Sequence, residues 1–298
     1  MKYSIAATLA AFTLAYVADA RPTKRDITDP QVLNYALTLE HLEATFYREG
    51  LKKFSAADFA KAGHPGWTYD RFLQIRDHEE THVTFLTTAL QTAGAKAVQA
   101  CEYSFPYTDV NSFLTLAGIL ESVGTAAYTG GAQAITSKDY LTAAASILAV
   151  EARHAAWIES AGLSGSPWDT AFQTPLAPNP VYSLAVPFIK SCPASNSELL
   201  PALAPYPVLA LENAHAGKTA TLKFTAPKTS PLFVAFVSGA GAPTFVPIQH
   251  GNEVAIPSSL RGFVFCFVTK DGGKVDDSTV VAGPAILNVA FDSRGNVV

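Results

Sequence analysis

From Asp29 to about Ala161 the apolar positions recur with helical period, in four long Ala- and Leu-rich segments that carry few breakers. The pattern predicts helices over 30–52, 69–93, 110–133 and 138–161. Asp29 is the expected N-cap of the first, with Pro30 at its first helical position, and Asp109 caps the third. Gly94 and Gly162 stop the second and fourth, and a short helix near 55–62 fills the first connection. Between Gly162 and Pro207 the composition turns to Pro, Ser and Asn, which predicts an extended wrap instead of a packed element. Beyond Pro207 short runs of strand character follow at 208–211, 220–224, 232–237, 244–248, 253–256, 262–269 and 285–291, separated by Gly, Pro, Asn and Asp. Such spacing points to a β-sandwich. The expected fold class is therefore α+β in two domains: a four-helix bundle over 29–193 with its C-terminal wrap, a linker over 194–207, and a small β-sandwich over 208–298.

Polar residues interrupt the helical stripes at a few places, and advancing about 100° per residue shows where they point. Glu40 is centred among Leu33, Ala36, Leu37, Ala44, Tyr47 and Leu51. Glu79 is centred among Phe72, Ile75, Val83, Leu86 and Leu90, with His82 one turn on along the same face. Glu121 shares its face with Leu114, Ala117, Gly118, Thr125 and Tyr128. Glu151 sits among Ala144, Ile147, Leu148, Ala155 and Ile158, again followed one turn later by a histidine, His154. All four carboxylates are thus expected to face the interior.

A carboxylate in an apolar interior is costly unless it is protonated, paired or bound to a metal. Like charges at close range repel, and no Lys or Arg shares these stripes. Two cations would supply the missing charge, and mixed carboxylate and imidazole ligation suits iron or manganese while admitting zinc. One Glu-x-x-His pair alone says little. Two of them alternating with two lone inward glutamates on successive helices form the ligand set of dinuclear carboxylate bundles. The metal ligands read this way are Glu40, Glu79, His82, Glu121, Glu151 and His154. Glu43 lies one turn beyond Glu40 at the edge of its stripe and is an alternate or supporting ligand. Tyr47 and Tyr128 face inward near the site, as ligand supports or as packing. His78 falls about 100° off the inward stripe, so a capped or solvent-facing ring is favoured over a third imidazole ligand. The bland alternative for the whole set is a metal-free network of glutamates sharing protons.

Composition narrows the rest. With 298 residues, 49% of them apolar, the chain is long enough for two cores, and its net charge of −4 without a basic run excludes nucleic acid as the main partner. Lys2, an apolar stretch from Ile5 to Val17 and Ala18-Asp19-Ala20 have the order of a secretory signal, so residues 1–20 are set aside as a signal peptide. Residues 21–28 are a candidate propeptide or N-terminal arm, with the dibasic Lys24-Arg25 a candidate processing site. No later stretch is expected to span a membrane. Secretion permits disulfides; Cys101 and Cys192 lie in loop-like sequence and are expected to pair, while Cys266 sits in the strand-like run Phe263–Val268 and is expected buried and inert. His215, His250 and Cys266 do not have the spacing of a copper site.

The phrases Asn34-Tyr35-Ala36-Leu37-Thr38-Leu39-Glu40-His41-Leu42-Glu43-Ala44-Thr45-Phe46-Tyr47 and Asp77-His78-Glu79-Glu80-Thr81-His82 make residues 29–193 similar to a secreted branch of the ferritin-like superfamily, the fungal stress-response and plant desiccation-related proteins. The resemblance implies a four-helix bundle with one long crossover, for which Gly94–Asp109 is available, and the six ligands above. Tyr47 matches a tyrosine that such proteins often carry, which favours Glu40 over Glu43. The implied function is a secreted protein with a di-iron or di-manganese centre acting as an oxidase or peroxide scavenger in stress response. The alternative is a non-catalytic structural or partner-binding protein, cell-wall associated or an accessory subunit of a secreted oxidase, contacting its partner through the β-domain. Assembly into an iron-storage cage is disfavoured by the fused C-terminal domain.

Overall fold

A computed structural model describes residues 27–225, 231–249 and 251–298. The signal peptide, the Lys24-Arg25 pair, nearly all of the 21–28 arm and His250 lie outside the described residues. Helix α1 (Asp29–Lys53) pairs with α3 (Trp67–Thr92), and α4 (Val110–Gly131) pairs with α5 (Lys138–Trp157); the short α2 (Ala56–Lys61) bridges α1 and α3. Each predicted helix is present within a few residues at either end. The fourth differs most, because its last turn widens into a π-helical segment over Ile158–Gly162.

One cap is placed differently from the sequence expectation. Thr28, not Asp29, caps α1, and its backbone N–H donates to the Gln31 side chain at 3.1 Å. Asp29 instead accepts from Thr136 N at 2.8 Å and Ser137 N at 2.9 Å, tying the start of α1 to the α4–α5 connection. Asp109 caps α4 as expected, accepting from Ser112 N at 2.8 Å.

The segment expected to be an extended wrap is partly a packed helix. Pro178 and Pro180 lie in the first turn of α6 (Pro178–Ala185), where a missing N–H costs nothing, and Val181 and Ala185 are buried between α4 and the β-unit. Before it, Leu176 N donates to Ala126 O at 3.0 Å, and the strap crosses α4 at Gly130, where a Cβ would stand 2.0 Å from Leu176 O. After it, β2 (Ile189–Ser191) pairs with β1 (Glu102–Tyr103) in the long α3–α4 connection, and Cys101 and Cys192 are bonded beside that pair.

The C-terminal unit is a sandwich of antiparallel sheets. One has the order β3 (Leu209–Glu212), β4 (Thr219–Phe224), β7 (Glu253–Ala255); the other runs β6 (Thr244–Pro247), β5 (Phe233–Val237), β8 (Gly262–Thr269), β9 (Val280–Val289). All eight residues of β8 are buried, and the reason is visible in its two faces. Val264, Cys266 and Val268 enter the core between the sheets, while Phe265 and Phe267 join the core of the bundle. The two units thus share a continuous interior, which is why Phe263–Val268 reads as an unbroken apolar run instead of an alternating one. Strand β9 starts five residues earlier than predicted, because Gly283-Pro284 sits inside it at an irregularity in its pairing with β8. Cys266 is unpaired and sealed from solvent, whereas His215 is exposed.

Helix α4 with the turn after it, Val110–Ala134, is long and apolar enough to cross a membrane, contrary to the expectation that no segment beyond the leader would be. Its apolarity is explained by burial: 72% of its most apolar window is inside the protein.

The disulfide closes a 91-residue separation around α4, α5 and α6. Replacing Cys101 and Cys192 together by Ser is expected to lower unfolding stability by about 2–4 kcal/mol in urea titration.

Candidate metal centre

The helix pairs bring the predicted ligands to one place in the middle of the bundle. Glu40, Glu79, Glu121 and Glu151 are fully buried, and His82 and His154 are nearly so. Two donor groups form, within each of which the ligand atoms lie no more than 4.8 Å apart: Glu40, Glu79, His82 and Glu151 in one, Glu79, Glu121, Glu151 and His154 in the other. Glu79 and Glu151 belong to both. The arrangement is two four-donor sites sharing two carboxylates, each completed by one further glutamate and one histidine.

The imidazoles point Nδ1 inward. His82 Nδ1 lies 3.1 Å from Glu79 Oε2, 3.2 Å from Glu40 Oε2 and 3.5 Å from Glu151 Oε1. His154 Nδ1 lies 3.1 Å from Glu79 Oε1 and 3.2 Å from Glu121 Oε2. The outer oxygens of the two unshared carboxylates are held by tyrosines in a crossed pair. Tyr47 of α1 donates to Glu121 Oε1 of α4 at 2.5 Å, and Tyr128 of α4 donates to Glu40 Oε1 of α1. Each tyrosine lies seven residues after the glutamate on its own helix, so both are supports of the partner helix's ligand.

His78 belongs to neither donor group. Its ring is exposed, yet its Nδ1 stands 2.9 Å from Nε2 of His154 and the two rings stack with centroids 5.2 Å apart. It therefore backs the outer nitrogen of a site histidine and fixes the direction of the inner one. Glu43 is buried beside the site but belongs to neither donor group. Its Oε1 occupies space that a side chain at position 124 would need: a Cβ on Gly124 would stand 2.9 Å from it and 2.7 Å from Glu151 Oε2. Gly124 follows Glu121 by three residues, as Glu43 follows Glu40. The sequence reading missed this glycine, although that matching offset was a signal for it.

The electrostatics are those of an excess of buried acid. No Lys or Arg is buried among the described residues. Burial pulls the imidazoles down but is outweighed by the carboxylates around them, so His82 is pushed up to about 12 by Glu151, Glu40 and Glu79, and His154 to about 10 by Glu121 and Glu79. Burial would also raise Glu79, but the His154 and His82 imidazoles lying against it bring it below the usual carboxylate range. Glu151 and Glu43 are driven well up, first by burial and then by neighbouring carboxylates, and Glu40 and Glu121 rise for the same leading reason. Even so, both oxygens of Glu151 and Oε1 of Glu79 are buried without a hydrogen-bond partner; the histidine contacts to them are close but not aligned as hydrogen bonds. These orphaned oxygens belong to the two shared carboxylates, where a pair of cations would be bridged.

Residues 28–163 match the ferritin-like domain family. The chain is also 29% identical over 186 residues to "Protein rds1" of Schizosaccharomyces pombe, a match covering 61% of this chain and 45% of that protein. The chain thus spans about half the length of that relative.

Because ligating imidazole is neutral and ligating carboxylate ionised, cation uptake would expel the protons that His82 and His154 hold near neutral pH. Titration calorimetry with Mn(II) in buffers of different ionisation enthalpy is expected to show net proton release. Apparent affinity rises with pH, since these groups have pKa values raised above their ordinary range and lose their protons only as pH climbs.

Proposed function

We propose that this chain, whose residues 28–163 form a ferritin-like domain, is a secreted redox protein that carries a pair of iron or manganese ions and reacts with dioxygen or peroxide. The observation that carries the reading is the pair of donor groups sharing Glu79 and Glu151, with unpartnered oxygens on both shared residues. The donor chemistry fits: four carboxylates and two imidazoles stabilise the higher oxidation states of iron and manganese and admit zinc less specifically. When bound, two adjacent ions supply a two-electron exchange with an oxidant. In the first position Glu40 and His82 would be the unshared ligands; in the second, Glu121 and His154. The leader-like residues 1–20 and the Cys101–Cys192 bond support an extracellular setting, where disulfides persist. The resemblance to stress-response proteins supports a protective role against oxidants.

The chain's own residues would perform the positioning. Tyr47 and Tyr128 hold the outer oxygens of Glu121 and Glu40, leaving the inner oxygens turned toward His154 and His82, with which they would share a cation. His78 holds His154 Nε2, which keeps Nδ1 directed inward. Gly124 leaves room for Glu43 and Glu151 to lie side by side, so that Glu43 places a fifth carboxyl group next to a shared ligand.

Elemental analysis of protein reconstituted anaerobically with Fe(II) or Mn(II) is expected to give two ions per chain. Glu151→Ala removes a shared ligand and lowers both occupancies; His82→Ala lowers one and spares the other. Less than one ion per wild-type chain, or equal loss in the two variants, contradicts the proposal.

A further inference from the structure

Helices α1 and α3 are repeated by α4 and α5 in the arrangement of their ligands, and the repetition allows position-by-position comparison of the two ends of the site. Counting from Glu40 and Glu121, Phe46 corresponds to Ala127, each six residues after its glutamate, and Phe113 corresponds to Val32, each eight residues before. Counting from Glu79 and Glu151, Phe72 corresponds to Ala144, each seven residues before. Around Tyr47 the three rings are present and fully buried. Phe46 and Phe113 stack with centroids 4.8 Å apart, Phe72 and Phe113 lie 5.4 Å apart, and Tyr47 is 6.1 Å from Phe72. That end is solid.

Around Tyr128 the corresponding residues are Ala127, Val32 and Ala144, and there is a cavity of about 30 Å³ where the rings are missing. Its other walls are aliphatic or aromatic, including Ala36, Leu39 and Leu86, with the half-exposed Phe85 at its edge. Three tyrosines line it, of which Tyr128 donates to Glu40 and Tyr35 to Pro178 O at 3.2 Å, while the ring of Tyr140 packs against the neighbouring apolar cluster. A space of that size holds a molecule of two or three heavy atoms, and its predominantly apolar walls disfavour water and hydrogen peroxide relative to an apolar gas. Tyr128, which lines the hollow, donates to Glu40 of the donor group that also contains His82.

We infer that this hollow is a binding site for an apolar diatomic, dioxygen, and the route by which it reaches the Glu40 and His82 side of the centre. The inference rests on the proposed redox reading and chooses between its two oxidants. Xenon is the probe for the site, since it fills apolar cavities of this kind without needing any metal chemistry. In crystals of the wild-type protein under xenon pressure, density is expected in the hollow, and Ala144→Phe, which restores the ring present at position 72, removes it. In the Fe(II)-loaded protein the same substitution slows oxidation by dioxygen by about tenfold or more, while oxidation by hydrogen peroxide and the bound iron content are unchanged. Ala143→Leu, at the less buried rim, serves as a second filling variant with the same expected pattern. Absence of xenon from the hollow in wild type, or oxidation by dioxygen at the wild-type rate in both filled variants, overturns the inference. If wild-type Fe(II) protein resists dioxygen but is oxidised by hydrogen peroxide, the inference fails and the redox reading stands; if it resists both while xenon occupies the hollow, the redox reading fails and the apolar site stands.

Discussion

Five carboxylates buried in the middle of an apolar helical bundle, with no buried Lys or Arg near them, set the terms for the rest of the molecule. Ionised carboxylate in such surroundings is costly, and two imidazoles cannot neutralise five acids. The surrounding structure manages that excess in several ways. Tyrosines clamp the outer oxygens of Glu40 and Glu121, histidines hold Glu79 ionised, and burial drives Glu43 and Glu151 toward their protonated forms. What remains unsatisfied is concentrated on the two carboxylates that both donor groups share. A bundle selected for stability alone would fill these positions with Leu or Ile.

The site is close to two-fold symmetric in its ligands and asymmetric in everything around them. The crossed pairs Tyr47 with Glu121 and Tyr128 with Glu40 preserve the symmetry. It is broken by Glu43 facing Gly124, by His78 backing His154, and by the exchange of three rings for two alanines and a valine. The equivalent of His78 on α5 is Val150, which has no ring nitrogen to offer His82. The two metal positions would therefore differ in charge and in access although their own ligands are the same. The β-sandwich stands apart from these differences: it shares the bundle core through Phe265 and Phe267 and covers α6, and so supports the bundle from outside the site.

The helices and the six inward ligands were legible because helical phase is a local property: each glutamate lies at the centre of an apolar stripe that its own helix defines. The Cys101–Cys192 bond was legible by contrast with Cys266, whose flanking residues already have strand character. What could not be read depends on contacts between segments far apart in sequence. Whether Tyr47 supports its own helix's ligand or another's is decided only when α1 meets α4. The reach of His78 to His154 spans 76 residues, and its own stripe gives no sign of it. Helix α6 was hidden because its prolines look like breakers, although they occupy the one turn that tolerates them.

The central proposal is that Glu79 and Glu151, the carboxylates common to both donor groups, would serve two cations. Anomalous diffraction at the manganese or iron absorption edge, on crystals of the metal-loaded protein, tests it most directly. Two anomalous peaks are expected, each flanked by both Glu79 and Glu151, one beside Glu40 and His82 and the other beside Glu121 and His154. A single peak, or peaks that do not lie between Glu79 and Glu151, would contradict it.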